Sequence, residues 1–389
     1  MAPECIPASL TVETVFPNIK LDRNAMEGHR LYDYEMFWAD LQPWLQEQGY
    51  MLRPRYHPGW VASWRGKRHE AWAFCEDGQI FPEATVFMDA IRIKDGMQVI
   101  LKKLVSESGS HEAKMALMLS PNGSDPLNHC VPICEVLKVP NEKAEEKTVE
   151  LLVMPFLTRW SQPFFTTVGE TVDFFQQTIE GLHFLHKNNI AHNDVKFDNI
   201  MMDSTFLYDS PIHPATPEMK RDWSGPSKPR TRTERPVKYL YIDFALADKY
   251  PQLCPGRHSC YGGDRTVPEF NSNEPLCDPF AVDVYRLGNI FRESITQGGA
   301  FDKKYRGFKF MNDLINDMTR DDPQKRPKMD EVTQRFEHVR KRLGRWKLRS
   351  RMIPSDESRT SRIRNWFGHW TRQLVFVCKG LPAVPTPSN

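Results

Sequence analysis

The sequence predicts an α+β protein in which strands and helices are segregated along the chain, and three observations carry that reading. Two β-rich runs, VFMDAIRI (86–93) and MQVILKKL (97–104), flank Lys94, Asp95 and Gly96, a hairpin signal. EKTVELLVMPFL (146–157) reads as a buried strand running into a proline turn. From TVDFFQQTIEGLHFLHKNN (171–189) to EVTQRFEHVRKRL (331–343) the apolar residues recur at helical spacing, with Phe175, Ile179, Leu182 and Leu185 on one face of the first helix. A small strand-rich lobe followed by a larger helical lobe is the expected architecture.

Composition sets the class but little else. The chain has 389 residues, 40% hydrophobic and 26% charged, enough for two lobes with buried cores. Its 52 Lys and Arg against 50 Asp and Glu leave a formal charge of +2, no global field that would draw nucleic acid or an anionic surface. The N-terminal residues lack an apolar run behind a basic start, and no apolar stretch is long enough for a span. Eight scattered cysteines in a chain of this size read as free thiols in a reducing compartment. Cytoplasmic or nuclear location is therefore the expectation. Cys130 and Cys134 beside His129 have no second pair at ligand spacing, so buried structural cysteine is preferred to a zinc site.

Taken in order, LYDYEMFWADLQPWLQEQGY (31–50) places Leu31, Tyr34, Phe37, Leu41 and Trp44 on one stripe of a helix ending near Gly49. Residues 50–82, rich in Trp, Pro, Arg and Gly, read as irregular cover. SHEAKMALMLS (110–120) is a short helix with Glu112 in its first turn. The stretch between Asp203 and Val237, dense in Pro, Lys and Arg, reads as an exposed, mobile insert. The expected organisation is an N-terminal extension (1–50), a strand-rich lobe (51–157), a helical lobe (158–343) with the insert at 203–237, and a basic aromatic tail (344–389). In that tail Ile363, Trp366, Phe367, Trp370 and Leu374 share a helical face among Arg359, Arg362 and Arg364. Such a face suits an acidic partner or a membrane surface, but aromatics at helical spacing usually mean core, and packing on the helical lobe is the favoured reading.

The chemistry-bearing residues lie between these elements. Phosphoryl transfer needs a cation on the phosphates, oxygen ligands for Mg²⁺, and a carboxylate to orient the attacking hydroxyl and take its proton. His192-Asn193-Asp194-Val195-Lys196-Phe197-Asp198-Asn199 falls on a loop ahead of the apolar strand Ile200-Met201-Met202. Tyr239-Leu240-Tyr241-Ile242-Asp243-Phe244-Ala245 is a strand ending on a carboxylate. Singly, Asp194 and Asn199 read as turn residues, Asp243 as a strand-end cap and Lys102 as a surface lysine. Their order changes that reading.

This set resembles the eukaryotic protein kinase superfamily, with HxDxKxxN as catalytic loop and DFA in place of DFG, over roughly residues 84–343. Val99-Ile100-Leu101-Lys102 resembles the strand whose lysine holds the α- and β-phosphates, and Glu112 its helical partner. Val267-Pro268-Glu269 resembles the APE motif, Asp283-Val284-Tyr285-Arg286-Leu287-Gly288 the D-x-W-x-x-G helix start, and Arg326 the late arginine that pairs with Glu269. NHCVPICEVL, VMPFL and GGDRTVPEF look like a lineage-expanded group of fungal kinase-like proteins. The resemblance implies a bilobal protein kinase-like fold and a Ser/Thr-type enzyme that uses ATP and Mg²⁺ on a protein substrate. It implies Asp194 as catalytic base, Lys196 on the transferring phosphate, Asn199 and Asp243 as metal ligands, and backbone groups near Met154 and Phe156 reading adenine. A pseudokinase scaffold is the alternative.

The pattern departs from the family in four places. No G-x-G-x-x-G precedes Lys102, so the phosphates lack their usual glycine hairpin. The short spacing from Lys102 to Glu112 leaves Glu107 as another partner for the lysine. Asn193 replaces the arginine that meets an activation-loop phosphate, so a phosphorylation-independent architecture is expected. Ala245 replaces a glycine, a cost of about 1 kcal/mol or less if that position requires positive φ.

Overall fold

The computed structural model describes residues 30–65, 69–106, 110–121, 125–140, 147–250, 258–259, 262–271, 276–298 and 304–387. Residues 1–29 of the expected N-terminal extension and Glu107 lie outside the described residues. The chain forms two compact units, one ending at Gly96 and one beginning at Met97.

In the first unit, helix α1 (Asp33–Glu47) starts where the Glu35 carboxylate accepts the N–H of Tyr32 at 3.0 Å. The helix is where the periodicity places it, but its buried face is Glu35, Trp38, Gln42 and Leu45, one residue round from the expected stripe. Tyr34 is left exposed. The reason is electrostatic. Glu35 accepts Arg55 Nε and Nη2 at 2.8 Å each and the Tyr56 hydroxyl at 3.0 Å, a buried network that fixes the rotation of the helix. Trp38 Nε1 donates to the Ala84 carbonyl at 2.6 Å.

Strand β1 (Tyr50–Met51) pairs antiparallel with β2 (Phe87–Arg92), Tyr50 opposite Arg92. The segment between them, read as irregular cover, is built around paired charge. Buried Arg53 donates to both oxygens of Asp89 and to the Gln79 carbonyl, while Asp77 accepts from Ser63 N, Ser63 Oγ and Trp60 Nε1. Hydropathy could not reveal this, because the residues that order the segment are arginines and carboxylates.

In the second unit, β3 (Met97–Ser106), β4 (Glu135–Lys138) and β5 (Thr148–Pro155) form antiparallel ladders in the order β3-β5-β4, with Lys102 opposite Leu152. Helix α2 (His111–Leu119) follows β3, its N-terminus capped by Ser110 Oγ, which accepts the Ala113 N–H at 3.3 Å. After β6 (Thr158–Arg159) comes α3 (Val168–Lys187), whose buried Phe174 and Phe175 anchor an aromatic core: Trp160 stacks on Phe174 at 4.2 Å and Phe291 meets Phe175 edge-on at 4.5 Å. Strands β7 (Ile190–Ala191), β8 (Ile200–Asp203) and β9 (Lys238–Tyr241) follow, with β6-β8-β9 one antiparallel sheet. Helices α4 (Pro279–Phe291), α5 (Asn312–Met318), α6 (Met329–Lys341), α7 (Arg345–Arg349) and α8 (Arg359–Cys378) complete the unit. At Gly288 on α4 a Cβ would sit 2.7 Å from the Met318 Cβ, so only glycine lets α4 and α5 approach this closely.

Two expectations are corrected here. The stretch 203–237 grows from the β8–β9 turn and is not a wholly exposed loop. Bridges join Tyr208 to Pro229, Ile212 to Lys220 and Met219 to Pro226. Arg232 is buried, donating to the Trp160 and Pro163 carbonyls at 2.6 and 2.7 Å with its guanidinium 4.1 Å over the Phe165 ring; Thr233 donates to Glu170. The arginine stem packs as a hydrophobe while its head replaces backbone partners, which composition alone does not signal. The tail helix α8 forms as expected but packs the other way round: His369, Gln373 and Phe376 are buried, whereas Ile363, Trp366, Phe367 and Leu374 are exposed.

Candidate active site

The site assembles on the middle of β3, on the loop between β7 and β8 where it enters β8, and just beyond the end of β9. Lys102, on the buried run Val99-Ile100-Leu101, points its Nζ at Glu112 Oε1 (2.6 Å) and Asp243 Oδ1 (2.8 Å). One ammonium thereby links a strand, a helix and the carboxylate beyond β9. Burial pulls the Lys102 pKa down, but the two carboxylates outweigh it and leave it raised. For Asp243, burial acts upward and Lys102 more strongly downward, leaving the carboxyl below its usual range. The ten-residue separation in sequence thus suffices: Glu112 is a partner of the lysine.

The loop 192–199 is held from below. Asp283, fully buried on α4, accepts the N–H of His192 at 2.7 Å and of Asn193 at 3.0 Å. His192 Nε2 faces the Ile242 carbonyl at 3.1 Å and therefore carries the proton, leaving Nδ1 to accept the Asp194 N–H at 3.3 Å. Burial lowers the His192 pKa and keeps the ring neutral, as that tautomer requires. Asn193 adopts φ 61°, a left-handed conformation that asparagine tolerates, and donates through Nδ2 to the Leu246 carbonyl and the Tyr250 hydroxyl. A neutral amide thus ties this loop to the segment after Asp243, where the family arginine would carry charge.

The Asp194 carboxylate is held by three donors. Its Oδ2 accepts Lys196 Nζ at 2.8 Å and Asn199 Nδ2 at 2.9 Å, and its Oδ1 accepts the Gly263 N–H at 2.8 Å. Gly262 precedes that contact at φ +104°, where a Cβ would meet the Asn193 carbonyl at 2.5 Å and Arg286 Nη2 at 2.6 Å. Arg286, buried on α4, donates to the same Asn193 carbonyl. Asp243 has φ 64°, whereas Ala245 is not among the described residues with positive φ, so the strain expected at Ala245 does not arise.

The expected Glu269–Arg326 pair is present and bidentate, both bonds 2.7 Å, with Arg326 also donating to the Ala281 and Arg320 carbonyls. Where backbone groups are expected to read adenine, the geometry alters one expectation. Met154 is buried on β5, but the Phe156 N–H already donates to the Gln98 carbonyl at 3.0 Å and is not available to a ligand edge. Gln98 Nε2 in turn reaches the Ile212 carbonyl of the 203–237 segment at 3.0 Å. The sequence reading also missed Asp283 and Arg286 as supports of the loop. Their signal was the helix-start motif, in which a buried Asp ahead of Arg is unusual unless backbone groups need a partner.

Among the described residues no group of three or more His, Cys, Asp or Glu side chains could hold a metal ion. The donor set still suits Mg²⁺, which takes one or two carboxylates and fills its shell from phosphates and water. Asn199 spends Nδ2 on Asp194, and its Oδ1 has no hydrogen bond among the described residues; Asp243 spends Oδ1 on Lys102 and keeps Oδ2.

A lysine bridged to two carboxylates, a carboxylate oriented by a lysine and an asparagine, and a buried Glu–Arg clamp define a phosphotransferase site of the protein kinase class. The family model for the protein kinase domain matches residues 85–336, and the chain belongs to the protein kinase family, with its bilobal α+β fold. No helix among the described residues is long and apolar enough to cross a membrane.

Proposed function

We propose that this chain is an active, Mg²⁺-dependent kinase that transfers the γ-phosphate of ATP to a Ser or Thr hydroxyl of a protein substrate. The observation that carries it is the three-way orientation of Asp194 by Lys196, Asn199 and Gly263. A carboxylate so held keeps a lone pair on Oδ1 for the attacking hydroxyl, whose proton passes to Asp194 as the oxygen attacks phosphorus. Lys196, with a partly exposed ammonium, is placed to offset charge on the transferring group and favours Ser or Thr over Tyr. Lys102 would steady the α- and β-phosphates, held by Glu112. Mg²⁺, when bound, neutralises phosphate charge; Asn199 Oδ1 and Asp243 Oδ2 are the atoms to hold it. Adenine would be read near Met154 by backbone other than the Phe156 N–H, with Leu157 next in line.

The second reading, a kinase-like scaffold without useful turnover, is supported by one feature. The two strands that should carry a glycine hairpin, β1 and β2, are joined by a long charge-paired segment without G-x-G-x-x-G. Thermal unfolding with ATP, with and without Mg²⁺, followed by phosphoamino-acid analysis of a labelled substrate, separates the readings. Magnesium-dependent stabilisation with label on Ser or Thr supports the enzyme, and stabilisation without label supports the scaffold.

A further inference from the structure

Helix α8 is fixed to the protein by its polar side. His369 Nε2 bonds the Arg349 carbonyl at 2.8 Å, Arg349 donates to Gln373 Oε1 at 3.3 Å and to the Leu381 carbonyl at 2.5 Å, and Phe376 is buried between them in sequence. Beyond the helix the chain returns to α3, where a Cβ at Gly169 would collide with the Ala383 carbonyl. The helix is therefore held at both its middle and its end. What it leaves outward is apolar: Ile363 is 62% exposed, Trp366 52%, Phe367 60% and Leu374 56%. At 100° per residue these four lie within one stripe, with half-buried Trp370 in its middle, whose ring meets that of exposed Trp346 at 5.8 Å.

The charges beside that stripe are of one sign. Arg359 and Arg364 are exposed at the N-terminal end of α8 within and beside the stripe, Arg372 is exposed on the far side of the helix, and no Asp or Glu occurs from Arg359 to the last residue. A helix with an apolar and aromatic stripe beside arginines alone has the composition of one that lies in the plane of an anionic bilayer. Indole rings suit the boundary between headgroups and acyl chains. A second copy of the same face is the poorer occupant, because stacking two such helices sets arginine against arginine with no carboxylate to pair them.

We propose that the outward face of α8 docks on an anionic lipid surface, Trp366 and Phe367 entering the interface and Arg359 and Arg364 meeting lipid phosphates. The test is co-sedimentation of the full chain with vesicles of phosphatidylcholine plus phosphatidylserine, and with phosphatidylcholine alone. The chain should sediment with the first and stay soluble with the second. Arg359→Glu with Arg364→Glu should weaken binding by at least about tenfold, and Trp366→Ser with Phe367→Ser should abolish it. All four positions are exposed, so the variants should keep the thermal unfolding of the natural chain. Absence of vesicle binding overturns the proposal, as does binding indifferent to the apolar pair, which would be mere surface charge. Concentration-dependent self-association without lipid that the apolar pair abolishes would assign the face to a second copy and also overturn it.

Discussion

Lys102 Nζ lies 2.8 Å from Asp243 Oδ1 while its other bond holds Glu112, so one side chain couples the strand that would meet phosphate to the carboxylate that would meet metal. Lys102→Met removes that coupling and leaves Glu112 buried beside an apolar chain. We expect phosphate transfer to fall by about 10²-fold or more. Steady-state kinetics together with nucleotide-induced thermal stabilisation check both halves of the role.

The same pair fixes a pH dependence. The folded Asp243 pKa is depressed, so its stabilisation is present above the unfolded value of about 3.9 and is lost as pH falls through the folded value. The folded Lys102 pKa is raised, so its stabilisation is full below about 10.4 and is lost only as pH rises through a higher value. The stability difference between the natural chain and Asp243→Asn should thus be flat across neutral pH, shrinking on the acid side as Asp243 takes a proton and on the far alkaline side as Lys102 loses one. A difference that changes steadily through neutral pH would contradict the assigned directions.

Asp283 is buried and satisfies two backbone N–H groups of the loop that carries Asp194. Asp283→Ala leaves both donors without a partner, a loss of about 2–4 kcal/mol in denaturant unfolding. Activity should fall in the folded fraction as well, because Asp194 is displaced.

Gly262→Ala tests whether the segment before Glu269 positions the same carboxylate. A methyl there meets the Asn193 carbonyl and Arg286 at φ +104°, so the Gly263 N–H must withdraw from Asp194. We expect a fall of about tenfold or more in kcat with a smaller change in KM.

Arg326→Met breaks the bidentate pair with Glu269 and strands a buried carboxylate, costing about 3–5 kcal/mol. Glu269→Gln keeps one acceptor and should cost less. Chemical denaturation of both variants gives the comparison.

The residues that converge on Asp194 and Asp243 were legible because each is an unusual residue type at a fixed place in an ordered series. Lys102, Glu112, Asn199, Glu269 and Arg326 all stand where that order placed them. The strands and α3 were legible from apolar periodicity. What escaped was held by charge. Glu35 with Arg55 turned α1 by one residue, and Arg232 drew an apparently solvated insert onto Phe165. Periodicity weighs only apolar residues, so a buried ion pair rotates a helix unseen. The outward stripe of α8 is the converse case, with His369 and Gln373 taking the buried face through hydrogen bonds. The engaged Phe156 N–H belongs to neither class, since a backbone bond to Gln98 has no side-chain signature.

The central claim is that Asp194 and Asp243 carry phosphoryl transfer, and the direct measurement is turnover of labelled ATP with magnesium onto a generic basic protein. The natural chain should transfer phosphate, and Asp194→Asn and Asp243→Asn should each lose it while keeping their fold. Equal transfer by all three proteins, or silence from all three, would contradict it.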